Sequence, residues 1–287
     1  MWGAIQQRIS RHTEKPFQAI KCRAIRGRDS HKAFCLSDGK RKFFVKVNHE
    51  HAIYQFASEV DGLNDLAKYS DINVPQVVDF GCSGKHSFLI LEYLELAPLT
   101  PSHWRQLGEA IAQLHLVSEQ IKYGWQHDNY LGPTAQCNQW STSWARFFGQ
   151  QRIAELLEQV CGQYRLACDI DKVLTQVELV LAHHQPTPSF LHGDFWIGNV
   201  GTANGKIYLF DPAPYYGDRE CDLAMSELFG RFPEPFYQAY QHHLPVPADY
   251  QFRKGIYQLY PLLNHTKLFG KHYVQTLTSV LSSFEQH

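Results

Sequence analysis

The 287-residue chain holds no apolar run near the roughly 20 residues that a bilayer-spanning helix needs, so membrane-helix functions are excluded. Its start, MWGAIQQRISRHTEK, has no apolar stretch followed by a small-residue cleavage site, and the expectation is a cytoplasmic protein with no membrane partner. Cysteine is sparse: seven residues, an odd number, scattered, with no CxxC pair. That pattern argues against a disulfide framework and for reduced thiols. The 16 histidines fall in no HExxH arrangement and no zinc-finger spacing, which removes the usual zinc functions. Charge is also scarce, with 19% charged residues and a net charge of −1. A nucleic-acid binder usually carries a basic excess, so no nucleic-acid partner is expected. Internal repeats, low-complexity tracts and long Gly/Ser linkers are absent. What remains is 44% hydrophobic and 14% aromatic, enough apolar surface to offset ordering entropy and form a sizeable core.

The near-neutral total conceals a split. Residues 1–46 hold twelve Lys+Arg against three Asp+Glu, and the rest holds fifteen against twenty-five. A basic edge and an acidic body suit an anionic ligand held with metal ions, though a solvated basic hairpin accounts for the same fact.

Periodicity orders the chain. KCRAI, KAFCLS and KFFVKV read as a strand meander over 20–47. Ile53, Phe56, Val60, Leu63 and Ala67 then recur at helical spacing, and VPQVVDFG and HSFLILEYL supply two more strands. The first ~95 residues thus predict about five strands and one helix. Thr100-Pro101 marks a helix start, with Trp104, Leu107, Ile111 and Leu114 on its inner face. Further helices are expected over 141–161 and 170–184. Two short strands, SFLHGD and KIYLFD, bracket a polar loop, and helices dominate beyond Gly217. The expectation is an α+β fold with a β-rich lobe, residues 1–96, followed by a helical lobe, residues 97–287.

The densest chemistry lies in LHGDFWIGNV, residues 191–200, followed by LFDPA at 209–213. Phosphoryl transfer needs one carboxylate to orient the attacking hydroxyl and take its proton. It also needs an amide oxygen and a second carboxylate to hold Mg²⁺ against the phosphates. Asp194, Asn199 and Asp211 have those chemistries in the order of a protein kinase, with Gly193 where HRDxxxxN has Arg and Asp211-Pro212-Ala213 in place of DFG. Upstream, Lys46 in FFVKV is placed to neutralise nucleotide phosphates, and Glu59 on the helix is placed to pair with it. The backbone of Glu92 and Leu94, at the end of FLILEYL, is expected at the adenine edge. The phosphate-covering loop is the thinnest assignment: RGRDSH, residues 26–31, offers Gly27, Ser30, Arg26 and Arg28, and an ordinary hairpin turn explains it equally well. Trp196 is read either as a cover for a sugar face or as core. Asp218, Glu220 and Asp222 are read as an acidic wall that would attract a substrate ammonium; alternatively Asp218 braces the following helix and Asp222 buttresses the catalytic loop. His192 is read as a brace rather than a titrating group.

Together FFVKVN, FASEVDGLNDLA, VPQVVDFG, LILEYL, LHGDFWIGNVG and FDPAPYYGDRECDLAMSELFG resemble blocks of the fructosamine kinase family. That family is a branch of the aminoglycoside phosphotransferase and choline kinase-like enzymes, with a bilobal protein-kinase-like fold. HGD and DPA are shared across the wider group, whereas the Trp of HGDFWIGN and YYGDRECDLAM are more particular to fructosamine kinases. The family's first loop is usually richer in glycine than this one. The resemblance implies ATP- and Mg²⁺-dependent phosphorylation of the 3-hydroxyl of a fructosamine or ribulosamine, on a small molecule or a glycated protein, with release of the amine. It implies Asp194 as base, Asn199 and Asp211 as metal ligands and Lys46 as phosphate lysine. A monomer or weak dimer is expected. The competing readings are another small-molecule kinase, acting on an aminoglycoside or choline-like alcohol, and a nucleotide-binding protein without transferase activity.

Overall fold

A computed structural model describes residues 1–25, 31–69 and 71–285. The chain divides into two compact units, Met1–Leu99 with Val200–Pro212, and Thr100–Asn199 with Ala213–His287.

In the first unit, α1 (Trp2–Thr13) precedes β1 (Lys21–Ile25), β2 (Lys32–Ser37) and β3 (Lys42–His49). Then come α2 (Ile53–Tyr69), β4 (Val77–Ser83) and β5 (His86–Glu92). The five strands form one antiparallel sheet in the order β1-β2-β3-β5-β4. Successive side chains of a strand point to opposite faces, and the two faces bury different partners. Phe43, Val45, Val47, Phe88 and Ile90 pack with Ile5 and Ile9 of α1. Leu89 and Leu91 pack with Phe56 and Leu63 of α2. The sequence reading foresaw one helix here, and α1 is the addition. Its Ile5 and Ile9 are fully buried, a short apolar stripe hidden among polar neighbours, and Arg8 anchors it to Asp79 at 2.8 Å.

The expected pair of strands around the catalytic loop resolves differently. β8 (Ser189–Leu191) pairs with β11 (Tyr215–Gly217) in the second unit. In the first unit β9 (Val200–Ala203) pairs with β10 (Lys206–Leu209). This hairpin is held there by bridges from Asn73 to Tyr208 and from Ala97 to Thr202, so Val200–Pro212, read from sequence as part of the helical lobe, packs with the β-rich unit.

The second unit opens on α3 (Pro101–Leu116), where Thr100 accepts from the His103 N–H and His103 reciprocates, a capping box that satisfies donors at the helix start. Trp104, Leu107, Ile111 and Leu114 are all buried, as their spacing predicts. A small hairpin of β6 (Asn129–Leu131) and β7 (Thr134–Gln136) follows. The helix expected over 141–161 is α4 (Trp144–Phe148), a π-helical stretch (Gly149–Ala154) and α5 (Glu155–Tyr164). Then come α6 (Ile170–Leu181), α7 (Glu220–Leu228), α8 (Glu234–His243), α9 (Tyr250–Phe269) and α10 (Lys271–Glu285). No helix among the described residues is long and apolar enough to cross a membrane.

Candidate active site

In the first unit, strand alternation decides where Lys46 points. Its neighbours Val45 and Val47 face α1, so Lys46 faces α2. The side chain is buried, and its ammonium pairs with Glu59 Oε1 at 2.8 Å and Asp211 Oδ1 at 2.5 Å. Burial alone would lower the Lys46 pKa; the Asp211 and Glu59 carboxylates outweigh it and raise it, so the lysine is a fixed cation. Asp211 follows β10 with φ 49, in the left-handed region that a non-glycine residue rarely adopts. Its side chain is 34% exposed, so it keeps access to a ligand. Glu92 ends β5; its N–H donates to Gln76 O, while its own carboxylate accepts from Gln76 N–H. Leu94 lies just beyond, half-buried. Gly27 and Ser30, with Arg26 and Arg28, lie outside the described residues. The Cys22 thiol is exposed and Cys35 is buried; desolvation, then the nearby Cys35, raises the Cys22 pKa and disfavours its thiolate.

In the second unit, the catalytic loop leaves β8 through His192, which is fully buried. Two backbone donors of the loop, His192 N–H and Gly193 N–H, reach Asp222 Oδ2 and Oδ1 at 2.7 and 3.0 Å. Asp222 stands in the first turn of α7 and also meets His115 Nε2 at 3.2 Å, while His115 Nδ1 meets the Tyr240 hydroxyl at 2.8 Å. Both expected braces are therefore in place, since Asp194 N–H also donates to His192 Nδ1 at 3.2 Å. Gly193 has φ +78, and a Cβ there would sit 1.9 Å from the Ala213 carbonyl oxygen. An arginine of the protein-kinase pattern has no room at this position.

Asn199 lies buried in the single 3₁₀ turn that closes the loop. Its amide nitrogen donates to Asp194 O at 2.9 Å and to Asp194 Oδ2 at 2.8 Å. Both amide hydrogens therefore turn toward Asp194, and the Asn199 carbonyl oxygen is directed elsewhere. A carboxylate oxygen from Asp211 and an amide oxygen from Asn199 are the hard donors that Mg²⁺ takes, so these residues fit that ion chemically.

Trp196 is half-buried, with its ring edge-on to Phe229 and His265 at centroid separations of 6.3 and 6.2 Å. It also fills the space above Gly198, where a Cβ would approach the indole to 2.4 Å. Asp218 is 2% exposed and fully engaged. Its Oδ2 accepts from the Tyr257 hydroxyl and meets His184 Nε2, both at 2.6 Å, and its Oδ1 accepts from Glu220 N–H at 3.0 Å. That environment matches the helix brace and not an open anchor for a substrate ammonium.

Sequence reasoning missed a buried amide network beneath the loop. Asn129 donates to Pro214 O, and Gln136 donates to Ala213 O and to Asn129 Oδ1. Asn138 donates to Asn129 Oδ1, and Arg152 donates to Asn138 Oδ1. Ala213 N–H in turn reaches His192 O at 2.9 Å. No local pattern announces these residues, because each is ordinary by itself and the network joins positions up to 85 residues apart.

Comparison with known proteins agrees with this geometry. A solved structure of an aminoglycoside phosphotransferase is 15% identical over 100% of this chain and 99% of its own, with a TM-score of 0.63, and so shares the fold. A thermostable mutant of that enzyme has been crystallised in a ternary complex with ADP and hygromycin B. A structure named "putative fructosamine-3-kinase", from Haemophilus somnus 129PT, superposes with a TM-score of 0.95 at 37% identity, covering 99% of this chain and 97% of that one. A protein of Vibrio parahaemolyticus named "probable ketoamine kinase" is 42% identical over 288 residues, 98% of this chain and 100% of its own length. A model of the fructosamine kinase family matches residues 1–286. With the kinase-type loop, the buried Lys46–Glu59 pair and relatives along its full length, the chain belongs to the fructosamine kinase family.

Proposed function

We propose that this kinase transfers the γ-phosphoryl group of ATP to the 3-hydroxyl of a ketoamine sugar, a fructosamine or ribulosamine, and so starts its deglycation. The observation that carries the reading is Asp194, held from three sides. Asn199 fixes one of its carboxylate oxygens, His192 fixes its backbone N–H, and Asp222 fixes the loop that presents it. The Asp194 carboxylate is then oriented to accept a proton from the sugar hydroxyl as that hydroxyl attacks phosphorus. Proximity and orientation supply much of such a rate enhancement, so a base held rigidly at several points is what the chemistry asks of the protein. Lys46, kept charged by its two carboxylates, is the cation for the nucleotide phosphates. Asn199 and Asp211 would each offer Mg²⁺ one oxygen; the bound ion supplies charge neutralisation at the phosphates. Trp196 stands two residues from the base, its ring positioned by Phe229 and His265 to cover an apolar sugar face. Phosphorylation of O3 puts a leaving group on the carbon next to the C2 ketone. When C1 loses a proton to form the 1,2-enaminol, the nitrogen lone pair expels phosphate from C3. Water then hydrolyses the resulting C1 imine to free the amine and leave a 3-deoxy dicarbonyl sugar.

The test is an assay coupling ADP release to NADH oxidation, run with ribulosyl-lysine, fructosyl-lysine, choline and an aminoglycoside. Turnover is expected with the two ketoamines and is expected to stop when EDTA removes the metal. Asp194→Ala should lower kcat by at least about 10² while nucleotide affinity, read by calorimetry, stays within a few-fold. Absence of metal-dependent turnover with any ketoamine would overturn the substrate assignment, and unchanged turnover in Asp194→Ala would remove Asp194 as base.

A further inference from the structure

The second unit contains a cavity of roughly 260 Å³, smaller than the ~300–1,000 Å³ typical of drug-sized ligand pockets. Arg152, Gln151, Glu155, Lys267, Tyr260 and Thr134 are among the residues that line it. Arg152 is 1% exposed. Its Nη atoms donate only to uncharged oxygens, on Cys137, Gln151 and Asn138, and among the described residues no carboxylate pairs with it. The guanidinium stacks on Tyr215 and Phe147 at 4.2 and 4.5 Å. Its Nε–H, sealed from solvent, has no hydrogen-bond acceptor among the described residues, and Oε1 of the neighbouring Gln151 has no donor.

A buried arginine without an anion is costly, and an unused Nε–H and an unused amide oxygen on two residues that line one cavity call for a ligand that offers both an anion and an N–H donor. A π-helical stretch carries both residues, and such stretches frequently mark functional sites. Lys267 adds a second cation, its ammonium resting on Gln159 Oε1 at 2.7 Å, and Glu155 adds a carboxylate that holds the Gln159 amide at 2.8 Å. Facing the cations Arg152 and Lys267, Glu155 supplies a negative charge and Gln151 a neutral amide oxygen.

We propose that this cavity is a recognition site for a free α-amino-acid head, with Arg152 and Lys267 binding its carboxylate and Gln151 Oε1 and Glu155 its ammonium. The inference rests on the ketoamine kinase reading and narrows its substrate to amino acids glycated on a side-chain amine. In a protein chain both groups of that head are consumed in peptide bonds, so glycated protein would lack what the cavity binds. Two features tie the cavity to the phosphoryl acceptor site. Tyr260 lines it and lies in electrostatic range of Asp194: burial first, with Asp194 adding to it and Arg152 opposing, pushes the Tyr260 hydroxyl up to about 12. The amide network also runs from Arg152 through Asn138, Asn129 and Gln136 to Ala213.

The test is calorimetric binding of two ligands to the full chain: Nε-ribulosyl-lysine and ribulosyl-cadaverine, which lacks only the carboxylate. The expected result is at least tenfold tighter binding of the lysine adduct. Arg152→Gln should erase that preference; where its melting temperature shows that it does not fold, Lys267→Met should cut the preference at least threefold. Equal affinities, no detectable binding of either ligand, or an unchanged ratio in the folded variant overturns the proposal. The coupled assay separates this from the kinase reading. Turnover of both adducts with equal kcat/KM leaves the kinase and removes the amino-acid site. Failure of both adducts to turn over removes ribulosamines as the substrate, while the calorimetric ratio still decides the cavity.

Discussion

Lys46 shows how one residue type is given a task by its surroundings. A strand lysine is ordinarily a surface charge with a solvated head, but this one is 3% exposed between two carboxylates. The desolvation cost of the ammonium is met only because Glu59 and Asp211 both reach it. Lys46→Met keeps the stem and its packing, removes the charge, and leaves the two carboxylates facing each other. The expected outcome is a fall of at least about 10² in kcat/KM for ATP, the scale seen when one charge-stabilising donor is deleted. Steady-state kinetics at varied nucleotide concentration measure it. A fall below about threefold would mean that Lys46 is only a structural bridge between α2 and Asp211. This pairing was legible in sequence, because strand alternation and helical spacing put Lys46 and Glu59 on facing surfaces. The strained backbone of Asp211 was not, because φ +49 in a non-glycine residue has no compositional mark.

At the scale of an element, the catalytic loop is a short connection held by backbone donors rather than by its own secondary structure. Asp222 in α7 captures two of its N–H groups, and Gly193 is the position where the loop passes against Ala213. Gly193→Ala forces a methyl to 1.9 Å from a carbonyl oxygen at a left-handed φ, so the loop or the Ala213 segment must move. Backbone strain of about 1–2 kcal/mol and overpacking of about 1–3 kcal/mol predict a loss of about 2–5 kcal/mol, together with a fall in turnover. Chemical denaturation of the variant, read beside kcat, checks both. Stability within about 0.5 kcal/mol of the parent would show that the approach relaxes freely. The motif HGD identified the loop, but the reason for Gly lies in a residue twenty positions away, and a one-dimensional pattern does not carry that contact. The same limit hid β9. Its place beside Ala97 and the bridge from its partner β10 to Asn73 depend on pairings across more than a hundred residues, whereas α3, whose cap and apolar face are local, was readable almost residue by residue.

At the scale of the whole molecule, acid stability follows from histidines buried neutral in each unit. In the first unit His31 is lowered to about 4 by burial, then by Lys46, with Asp211 opposing. In the second, burial lowers His265 to about 4 while its hydrogen bond to Pro261 O at 3.0 Å opposes the shift. His265 stacks on Phe229 at 3.7 Å and stands in α9, which packs on α5, α7 and α10, so its protonation bears on the centre of that unit. Between about 4 and its ordinary value of 6.5 the unfolded chain binds a proton that folded His265 does not. Stability is therefore fully present above pH 6.5 and falls as pH drops toward 4, by at most about 1.4 kcal/mol per pH unit for this one group. His265→Phe preserves the ring against Phe229 and removes the ionisation. The variant should lose less melting temperature than the parent between pH 7 and pH 5, because His31 and the other titrating groups still contribute their share in both proteins. Thermal melts at a series of pH values read this as a difference in slope. Identical slopes would show that opening around α9 admits the proton without unfolding, and that burial of His265 does not set the acid limit of the second unit.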